Sequence, residues 1–345
     1  MSSNRHNISN DFIIQDIQNV KDEHFSLAMK HAEPGGIPCE KNVLLAAQSN
    51  EFFLFDATYS ADSSASPFSF WSGTQDSAFS VSIWYHPTDA PSSNAGVVSK
   101  GQWSASAKRE WAIFHLTNGK ILVQLYDESA NTYIGRITSS AISNDAWHHI
   151  VVTYSGSEPS AGIKIYVDGS ASGLTTYETG TYSGMDSSAG GWYGVVGSSN
   201  TKAHMSDIAI WSSELTAINV TSMYNSGDGP TNLFREEPYV TDKSNLLCWW
   251  RMGSYHLDFI KSGGGSAAAD NIINDITGNS RPLAPYTGFN GDEIVETNRI
   301  GGRRFGDSSD NDKNLPRPIV APFSFNNRGV PNLRRRNSAY KVTKG

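Results

Sequence analysis

The sequence predicts an antiparallel β-sandwich, an all-β fold, with extended arms at both ends. Segments in which apolar and polar residues alternate with period two recur through residues 43–233, as in half-buried strands. Tight-turn dipeptides, Asn118-Gly119 and Asp168-Gly169, separate some of them and suit hairpin turns. Only 18% of the residues are charged, against about 25% in typical domains. Because Gly, Ser, Asn and Thr make up the difference, the composition indicates many strands joined by polar turns.

The predicted elements follow one another along the chain. Alternating patterns place strands at Phe79–Tyr85, Glu110–Leu116, Lys120–Tyr126, Trp147–Tyr154, Ile163–Val167, Tyr193–Gly197 and Met205–Trp211. Within the body only Ser213–Tyr224 has a helical pattern, with Ser213 as the N-cap and Leu215, Ile218 and Met223 on one face. Many short strands with one terminal helix favour a sandwich of antiparallel sheets.

Four segments of different composition divide the chain. They are an N-terminal arm at 1–42, the body at 43–233, an aromatic-rich segment at 234–290 and a tail at 291–345. The tail contains four Pro and many Asn and Arg, so alone it would be disordered. No apolar run is long enough for a transmembrane helix, and no apolar stretch typical of a secretory signal follows the N-terminus. We therefore expect no membrane insertion and a reducing compartment, where a disulfide between Cys39 and Cys248 is not required.

The net charge of −7 hides an asymmetry. Residues 281–345 contain twelve Lys/Arg and six Asp/Glu, a net charge of +6, so residues 1–280 carry −13. An acidic body with a basic tail is not typical of a general nucleic-acid binder. It fits a protein whose tail docks on the acidic surface of a neighbour.

Seven short motifs occur in an order and at spacings that are specific together. They are Phe79–Trp84, Val98–Gly101, Trp147–Tyr154, Ile165–Gly169, Gly194–Gly197, Ser206–Trp211 and Leu215–Tyr224. The series closely resembles a laminin-G-like domain of the concanavalin A-like lectin/glucanase superfamily, over about residues 45–230. The resemblance implies a jelly-roll sandwich of two curved antiparallel sheets. One departure is that Ser206 replaces the first acid of a frequent acidic pair, so that only Asp207 remains.

A second departure concerns the order of the strands. The segment Asn245–Gly253, followed by Ile276–Ser280, resembles the strand that usually opens such a domain, yet here it follows the body. We therefore expect it to complete the sandwich from the C-terminal side. This placement is similar to that in structural proteins of marine tailed phages, which implies a component of the virion: tail, fibre or head decoration. The partners are then other virion proteins and copies of this chain, on which the polar arms become ordered.

The sequence does not favour an enzyme. Glucanases of the superfamily place paired acids on one strand, spaced as Glu-x-Asp-x-Glu, so that they share a face. No such triplet is present, and the acids on predicted strands are isolated: Glu110, Asp127, Asp168 and Asp207. No nucleophile elbow or phosphate-binding loop is present either. His148 and His149 look like a metal or catalytic pair, but adjacent strand residues face opposite ways and this motif is a sheet signature in the resembling family.

Two kinds of binding site remain as candidates. Some laminin-G-like domains hold Ca²⁺ at the sandwich rim, and Asp127, Asp186 and Asp207 are the acids here that fit this role, the alternative being solvated loop acids. Other cofactors are not expected. Carbohydrate binding needs exposed aromatic rings beside polar groups. The aromatic residues in or beside Ser/Gly-rich loops are Trp103, Trp192 and Tyr193, which alternatively pack under those loops or at a subunit interface. Of Trp249 and Trp250, we expect one ring in the sandwich and one facing a partner.

The basic tail contains Arg303-Arg304 and Arg334–Arg336. We expect these side chains to contact acidic neighbouring subunits, which fits the charge split better than nucleic acid does. The sequence thus predicts a non-enzymatic virion structural protein whose lectin-like sandwich is anchored by its arms and displayed toward host-surface glycans. The alternative is a free glycan-binding module that depends on calcium or does without it, and a glycoside hydrolase comes third.

Overall fold

The computed structural model describes eleven segments of the chain. They are residues 42–46, 53–55, 66–101, 109–157, 159–185, 194–227, 233–234, 243–252, 259–260, 272–285 and 294–295. All of them belong to the compact unit Met1–Arg303. None of the helices within these segments is both long enough and apolar enough to cross a membrane. The predicted arm lies outside them except for residue 42, and of the predicted tail only residues 294–295 are included.

Short strands dominate the described residues. In chain order they are β1 (Asn42–Ala46), β2 (Phe53–Phe55), β3 (Phe79–Pro87), β4 (Ala95–Gly101), β5 (Arg109–His115), β6 (Ile121–Asp127), β7 (Thr132–Thr138), β8 (His148–Tyr154), β9 (Ile163–Val167), β10 (Ser170–Ala171), β11 (Leu174–Thr176), β12 (Gly194–Val196), β13 (Lys202–Trp211), β14 (Leu246–Trp250), β15 (Phe259–Ile260), β16 (Ile272–Ile273), β17 (Ala284–Pro285) and β18 (Ile294–Val295). One α-helix, α1 (Ala217–Tyr224), lies between β13 and β14 among the described residues. Two 3₁₀ turns, Ser160–Gly162 and Asn225–Gly227, complete the assignment.

The strands form two large antiparallel sheets and one small one. Sheet I has the order β10-β9-β8-β3-β13-β1-β18, with β14 also paired to β13. Sheet II has the order β11-β7-β6-β5-β4-β12-β2-β17, and β15 pairs with β16. The two sheets confirm the all-β sandwich predicted from the alternating segments.

The main core lies between sheets I and II, and the period-two alternation decides which side chains enter it. On β3, the residues Phe79, Val81, Ile83 and Tyr85 are almost fully buried in this core. Aromatic rings account for much of its volume: the Phe70 and Phe79 rings stack with centroids 4.4 Å apart. Each fully buried side chain of this size contributes about 1.5–3 kcal/mol through removal of apolar surface from water.

The β5–β6 and β9–β10 hairpins form where the sequence predicts them, with one difference. Asp168 (φ 52°) and Gly169 (φ 74°) both adopt positive φ, as expected for that turn. In the first hairpin only Gly119 (φ 77°) does so. Asn118 stabilises the turn in another way, because its side-chain oxygen accepts a hydrogen bond from the Lys120 backbone N–H at 3.2 Å.

A bulge in β13 changes which residues face the core. Ala203 and Met205 point into it before the bulge, and Ile208 and Ile210 after it, so the alternation shifts by one residue. Asp207 takes up the extra residue with a positive φ of 49°. Along the edge of β13 that does not pair with β3, β1 pairs with the residues before the bulge and β14 pairs with those after it.

The turn at 275–281 holds β14 in place. Asp275 accepts hydrogen bonds from the backbone N–H groups of Trp249 (3.1 Å) and Arg281 (3.2 Å). Asn279 donates to the carbonyls of Leu246 and Leu247 at 3.2 and 3.1 Å. Because this turn satisfies backbone groups of the strand, Leu246–Trp250 becomes part of sheet I although it follows the body in the sequence.

The two adjacent tryptophans of β14 lie on opposite faces of sheet I. Trp250 is buried in the main core, beside Phe55 with ring centroids 5.2 Å apart. Trp249 is buried on the outer face, in a second cluster formed with α1, where Phe234 contacts it edge-on at 5.2 Å. The expectation that one ring would face a partner is therefore wrong, because residues of the same chain cover that ring.

The helix begins later than the sequence predicts. Thr216, not Ser213, is the N-cap, and its side chain accepts from the Asn219 backbone N–H while Asn219 reciprocates. The predicted cap is held elsewhere, because the Ser80 hydroxyl donates to the Ser213 carbonyl at 2.8 Å. The predicted apolar face also differs: Ile218 is 78% exposed, whereas Val220 is buried. Thr216 competes better as the cap because residues 213–215 are tied to β3.

Candidate functional site

One end of the sandwich brings together aromatic rings and carboxylates from both sheets. β6 ends and β7 begins at this end, and we call it the β6–β7 rim. It comprises residues 71–76, 109, 126–133 and 177–185. Hydrogen bonds connect sheet I to the segment that follows β11 here, since the Tyr154 hydroxyl of sheet I donates to Asp76 at 2.8 Å and Tyr182 donates to the same carboxylate at 2.6 Å.

Four planar groups form a stack on the outer face of sheet II, which we call the tyrosine column. The Arg109 guanidinium lies 3.6 Å from the centroid of the Tyr126 ring. Tyr126 stacks on Tyr133 at 5.9 Å, and Tyr133 stacks on Tyr177 at 5.0 Å, with interplanar angles of 23° and 25°. Strand register explains the contact, because Tyr126 pairs directly with Tyr133, and the Tyr177 backbone N–H donates to the Gly135 carbonyl.

Exposure increases along the column. Tyr126 is 5% exposed under the guanidinium, Tyr133 is half-buried and Tyr177 is 36% exposed. The inner end is fixed by polar contacts: Glu128 accepts two hydrogen bonds from the Arg109 side chain, at 2.6 and 3.2 Å. The Tyr126 hydroxyl donates to Asn131 at 2.6 Å. The column is thus rigid at its buried end and offers an aromatic ring to solvent at the other.

The phenol of Tyr133, in the middle of the column, remains protonated at neutral pH. A hydrogen bond with Tyr177, followed by burial, raises the pKa of Tyr133 to about 12. A neutral phenol can donate one hydrogen bond and accept others, which matches the chemistry of sugar hydroxyls.

Two buried carboxylates, Asp127 and Asp76, fix the segment 181–185 against the rest of the rim. Asp127 accepts from Ser129 and the Ala130 N–H through one oxygen, at 2.7 and 3.0 Å. Its other oxygen accepts from the hydroxyl and the N–H of Ser183, at 2.8 and 3.2 Å. Asp76 accepts from the Met185 N–H at 2.7 Å. Burial acts to raise the pKa of Asp127, but these hydrogen bonds outweigh it and lower the pKa, so the carboxylate stays ionised.

This geometry does not make a calcium site of the described candidates. Ca²⁺ needs about six to eight oxygens with free lone pairs, whereas both oxygens of Asp127 already face N–H and O–H donors. Asp207 lies at the bulge of sheet I, and its carboxylate accepts the Trp249 indole N–H at 2.8 Å. The two acids belong to different sheets and do not converge. Within the described segments, no group of three or more His, Cys, Asp or Glu is arranged to hold a metal. The third candidate, Asp186, lies outside the described residues, so the calcium prediction stays a prediction.

The predicted carbohydrate-binding residues Trp103, Trp192 and Tyr193 also lie outside the described residues. The strand ends that flank them are neighbours, however. Gly101 pairs with Arg109, the two residues on either side of 102–108. Gly194, which follows 186–193, pairs with Lys100. The described ends of both segments therefore belong to the same end of sheet II as the tyrosine column.

The remaining predicted residues lie away from the β6–β7 rim or outside the described residues. The tail residues Arg303, Arg304, Arg334, Arg335 and Arg336 lie outside the described residues. His148 and His149 face opposite ways, as predicted: His149 contacts Ser82 at 2.8 Å and His148 contacts Asp168 at 2.8 Å. Glu110 accepts from the Ser69 hydroxyl at 3.2 Å.

Sequence reasoning missed the tyrosine column. Tyr126 ends a predicted strand, but β7, which contains Tyr133, was not predicted, because its Thr-Tyr-Ile-Gly-Arg-Ile pattern alternates weakly. Tyr177 directly follows the short edge strand β11. A useful signal would have been the tyrosine in β7, with one tyrosine near the end of the strand before it and another following the short strand after it.

The comparisons agree with the fold. Residues 59–221 match the family model Laminin_G_3, described as the concanavalin A-like lectin/glucanases superfamily. The match confirms the laminin-G-like fold predicted from the seven motifs. A search of curated proteins finds no match.

Several solved structures are similar. One is a candidate carbohydrate-binding protein from Bacteroides ovatus ATCC 8483, with 14% identity, a TM-score of 0.43 and coverage of 74% of this chain. This chain spans 59% of that protein's length. A heptameric SAP-like pentraxin from Limulus polyphemus is 15% identical over 58% of this chain and 89% of its own, with a TM-score of 0.37. The binding domain of botulinum neurotoxin serotype G is 15% identical over 43% of this chain and 36% of its own, with a TM-score of 0.33.

Proposed function

We propose that this protein binds glycans at the β6–β7 rim without altering them chemically, and that it displays this rim on a virion. The tyrosine column is the observation on which the glycan-binding proposal rests. Its outermost ring, Tyr177, is 36% exposed and is held in place by the stack beneath it. A ring fixed in this way can pack against the apolar face of a pyranose at a small cost in side-chain entropy.

Polar groups beside the ring supply the hydrogen bonds that a sugar requires. Asn131, Glu178 and Thr179 are exposed, and Thr179 forms a backbone bridge with Tyr133. The protonated phenol of Tyr133 adds a neutral donor and acceptor. Because Arg109 is already paired with Glu128, the rim offers no free guanidinium from this pair to an acidic sugar. We therefore expect neutral glycans to bind best.

A rim site of this kind gives modest affinity per copy. Only one ring is well exposed in the column, so a single site buries little of a ligand. Many copies on one particle would raise the avidity by about 10²–10⁴-fold without any new contact. This requirement favours a displayed, multicopy protein over a free monomeric lectin.

The virion setting is supported by the charge distribution and the phage-like arrangement of the sequence. The basic tail, with +6 over residues 281–345, opposes a body of −13. A tail of this kind can dock on the acidic body of a neighbouring copy or on another virion protein. The chain would then act as a structural component of the particle as well as a receptor-binding one.

A glycan array probed with the full 345-residue chain tests the binding proposal. We expect binding to neutral glycans that Tyr177→Ala weakens by about 10-fold, consistent with a loss of about 1.4 kcal/mol of stacking. Tyr177→Phe, which keeps the ring, should retain most of the glycan binding. Ile218→Ala, which removes an exposed apolar side chain from α1, is the matched control and should bind normally. Equal binding by the wild type and Tyr177→Ala would rule out the column as the site.

Sedimentation of the native source lysate tests the virion proposal separately. The chain should pellet with DNA-containing particles in a fixed ratio to a capsid protein, as followed by peptide mass spectrometry. Removal of residues 304–345 should abolish pelleting with the particles and leave glycan binding intact. The truncation spares β18, which pairs with β1. A chain that stays in the light soluble fraction and still binds glycans would instead be the free glycan-binding module.

A further inference from the structure

Three side chains at the opposite end of the sandwich form a continuous hydrogen-bonded series. The Ser143 hydroxyl lies 2.9 Å from Nε2 of His148. Nδ1 of the same imidazole lies 2.8 Å from Oδ2 of Asp168. Serine, histidine and carboxylate in this order, at these distances, are the arrangement that activates a serine as a nucleophile.

The fold holds the carboxylate and the imidazole rigidly. Asp168 opens the β9–β10 turn with a positive φ of 52°, and its Oδ1 accepts the His149 backbone N–H at 2.9 Å. Helix α1 fixes the same turn, because the Thr221 hydroxyl donates to the Gly169 carbonyl at 3.0 Å. His148 is the first residue of β8 and its side chain is 12% exposed. The base is therefore positioned by regular structure, while Ser143 is exposed on the loop before the strand.

The charge state of Asp168 determines how the imidazole is used. Burial acts to raise its pKa, but hydrogen bonds from His148 and from the His149 backbone lower it, so the carboxylate is ionised near neutral pH. A carboxylate can only accept, so Nδ1 donates to Asp168, and in the neutral imidazole Nε2 is the nitrogen that accepts from the Ser143 hydroxyl. When Nε2 becomes protonated, the Ser143 carbonyl, 3.2 Å away, is a second acceptor for that proton. The surroundings therefore stabilise the imidazolium that forms when the serine is deprotonated.

We propose that Ser143 is an acyl-accepting nucleophile, with His148 as its general base and Asp168 as the positioning residue, for esters of small carboxylic acids. Ser143 Oγ attacks the ester carbonyl and forms a C–O bond, and its proton moves to His148 Nε2. The alkoxide leaving group departs with that proton as an alcohol, which leaves an ester on Ser143. Water then attacks this ester, gives its proton to His148 and releases the acid, and the proton returns to Ser143. This activity goes beyond glycan binding and lies at the other end of the sandwich from the β6–β7 rim.

Covalent labelling of the full chain with a fluorophosphonate probe tests the proposal directly. We expect one adduct per chain, located at Ser143 by peptide mass spectrometry, and a burst of p-nitrophenolate from p-nitrophenyl acetate. Ser143→Ala should abolish both, and His148→Gln should slow labelling by at least about 100-fold. Ser139→Ala is the matched control, because Ser139 is exposed on the same loop; it should label as the wild type does.

Two further readouts separate chemistry from structural support. Circular dichroism and thermal melting of each variant show whether it is folded, and Asp168→Asn is expected to slow labelling even where it folds. Label spread over several serines, or a rate at Ser143 that His148→Gln leaves unchanged in a folded protein, would overturn the proposal.

Discussion

The indole N–H of Trp249 donates a 2.8 Å hydrogen bond to the carboxylate of Asp207, across the β13–β14 pair. Asp207 occupies the bulge of β13 with a positive φ, and Trp249 is 1% exposed in the cluster beneath α1. This contact joins the bulge of β13 to β14, the strand that follows the body in the sequence. It also explains why a residue that looks like a metal ligand in the sequence has a structural role.

Replacement of Trp249 tests this link. Trp249→Phe keeps a buried aromatic ring but removes the N–H, so Asp207 loses a buried donor. We expect the free energy of unfolding to fall by about 1–3 kcal/mol. Asp207→Asn keeps a side-chain oxygen that can accept the indole N–H, and Asn tolerates positive φ. This variant should therefore lose less unfolding free energy than Trp249→Phe. Urea denaturation of both variants measures the difference, and an equal or larger loss for Asp207→Asn would contradict this account.

Gly194 is required by close packing rather than by backbone conformation. A Cβ at this position would overlap the ring of Phe55, which pairs with it across β2 and β12. Gly194→Ala should therefore destabilise the protein by about 1–3 kcal/mol or more. Gly96→Ala on neighbouring β4 is the control, because its Cβ would lie 3.5 Å from the Ser198 Cβ, an ordinary contact. Thermal melting should show a clear drop in Tm for Gly194→Ala alone.

Buried histidines should make the fold sensitive to acid. Burial lowers the pKa of His115 and His204 to about 4 and that of His149 to about 3, from an ordinary value of 6.5. Between pH 6.5 and 4 the unfolded chain therefore binds protons that the folded chain does not. The free energy of unfolding then falls as the pH falls, by up to about 1.4 kcal/mol per pH unit for each group.

Urea denaturation at several pH values from 7.5 to 4.5 measures this slope. Asp127 and Asp168 have pKa values lowered below 3.8, so loss of their contribution belongs mainly to more acidic solution. The glutamine in His149→Gln cannot be protonated. The variant should therefore take up one proton fewer on unfolding, and its free energy of unfolding should change less steeply with pH. A free energy of unfolding that stays constant across this range would show that these imidazoles are not buried as described.

Asp127 should act as an anchor for residues 181–185 and not as a calcium ligand. Asp127→Asn replaces one acceptor oxygen with an NH₂ group that must face existing donors, which should cost about 1–3 kcal/mol. Hydrogen exchange at Ser183 should become faster in the variant. Any rise of Tm with added calcium, and any fall with a chelator, should be the same in wild type and variant. A calcium effect lost only in Asp127→Asn would assign the metal to this carboxylate.

Periodicity and turn chemistry are local properties, and the sequence determined what depends on them. The alternation in Phe79–Tyr85 and Met205–Trp211 is enough to predict strands, because side chains that alternate in polarity can bury only one face. Asp168-Gly169 is enough to predict a turn, because both residues accept positive φ. The helix start was misplaced, since the choice between Ser213 and Thr216 depends on a hydrogen bond from Ser80 on a distant strand.

Contacts between residues far apart in the chain were decided only by the tertiary structure. Tyr126, Tyr133 and Tyr177 form one column because β6, β7 and the segment after β11 lie side by side, and no local pattern specifies that order. Ser143, His148 and Asp168 likewise meet where two strands and a loop converge. The sequence by itself determined which segments become strands and which face of each is apolar. Tertiary structure decided which polar and aromatic side chains meet at the two ends of the sandwich, because strand pairing and register arise from packing of the whole core.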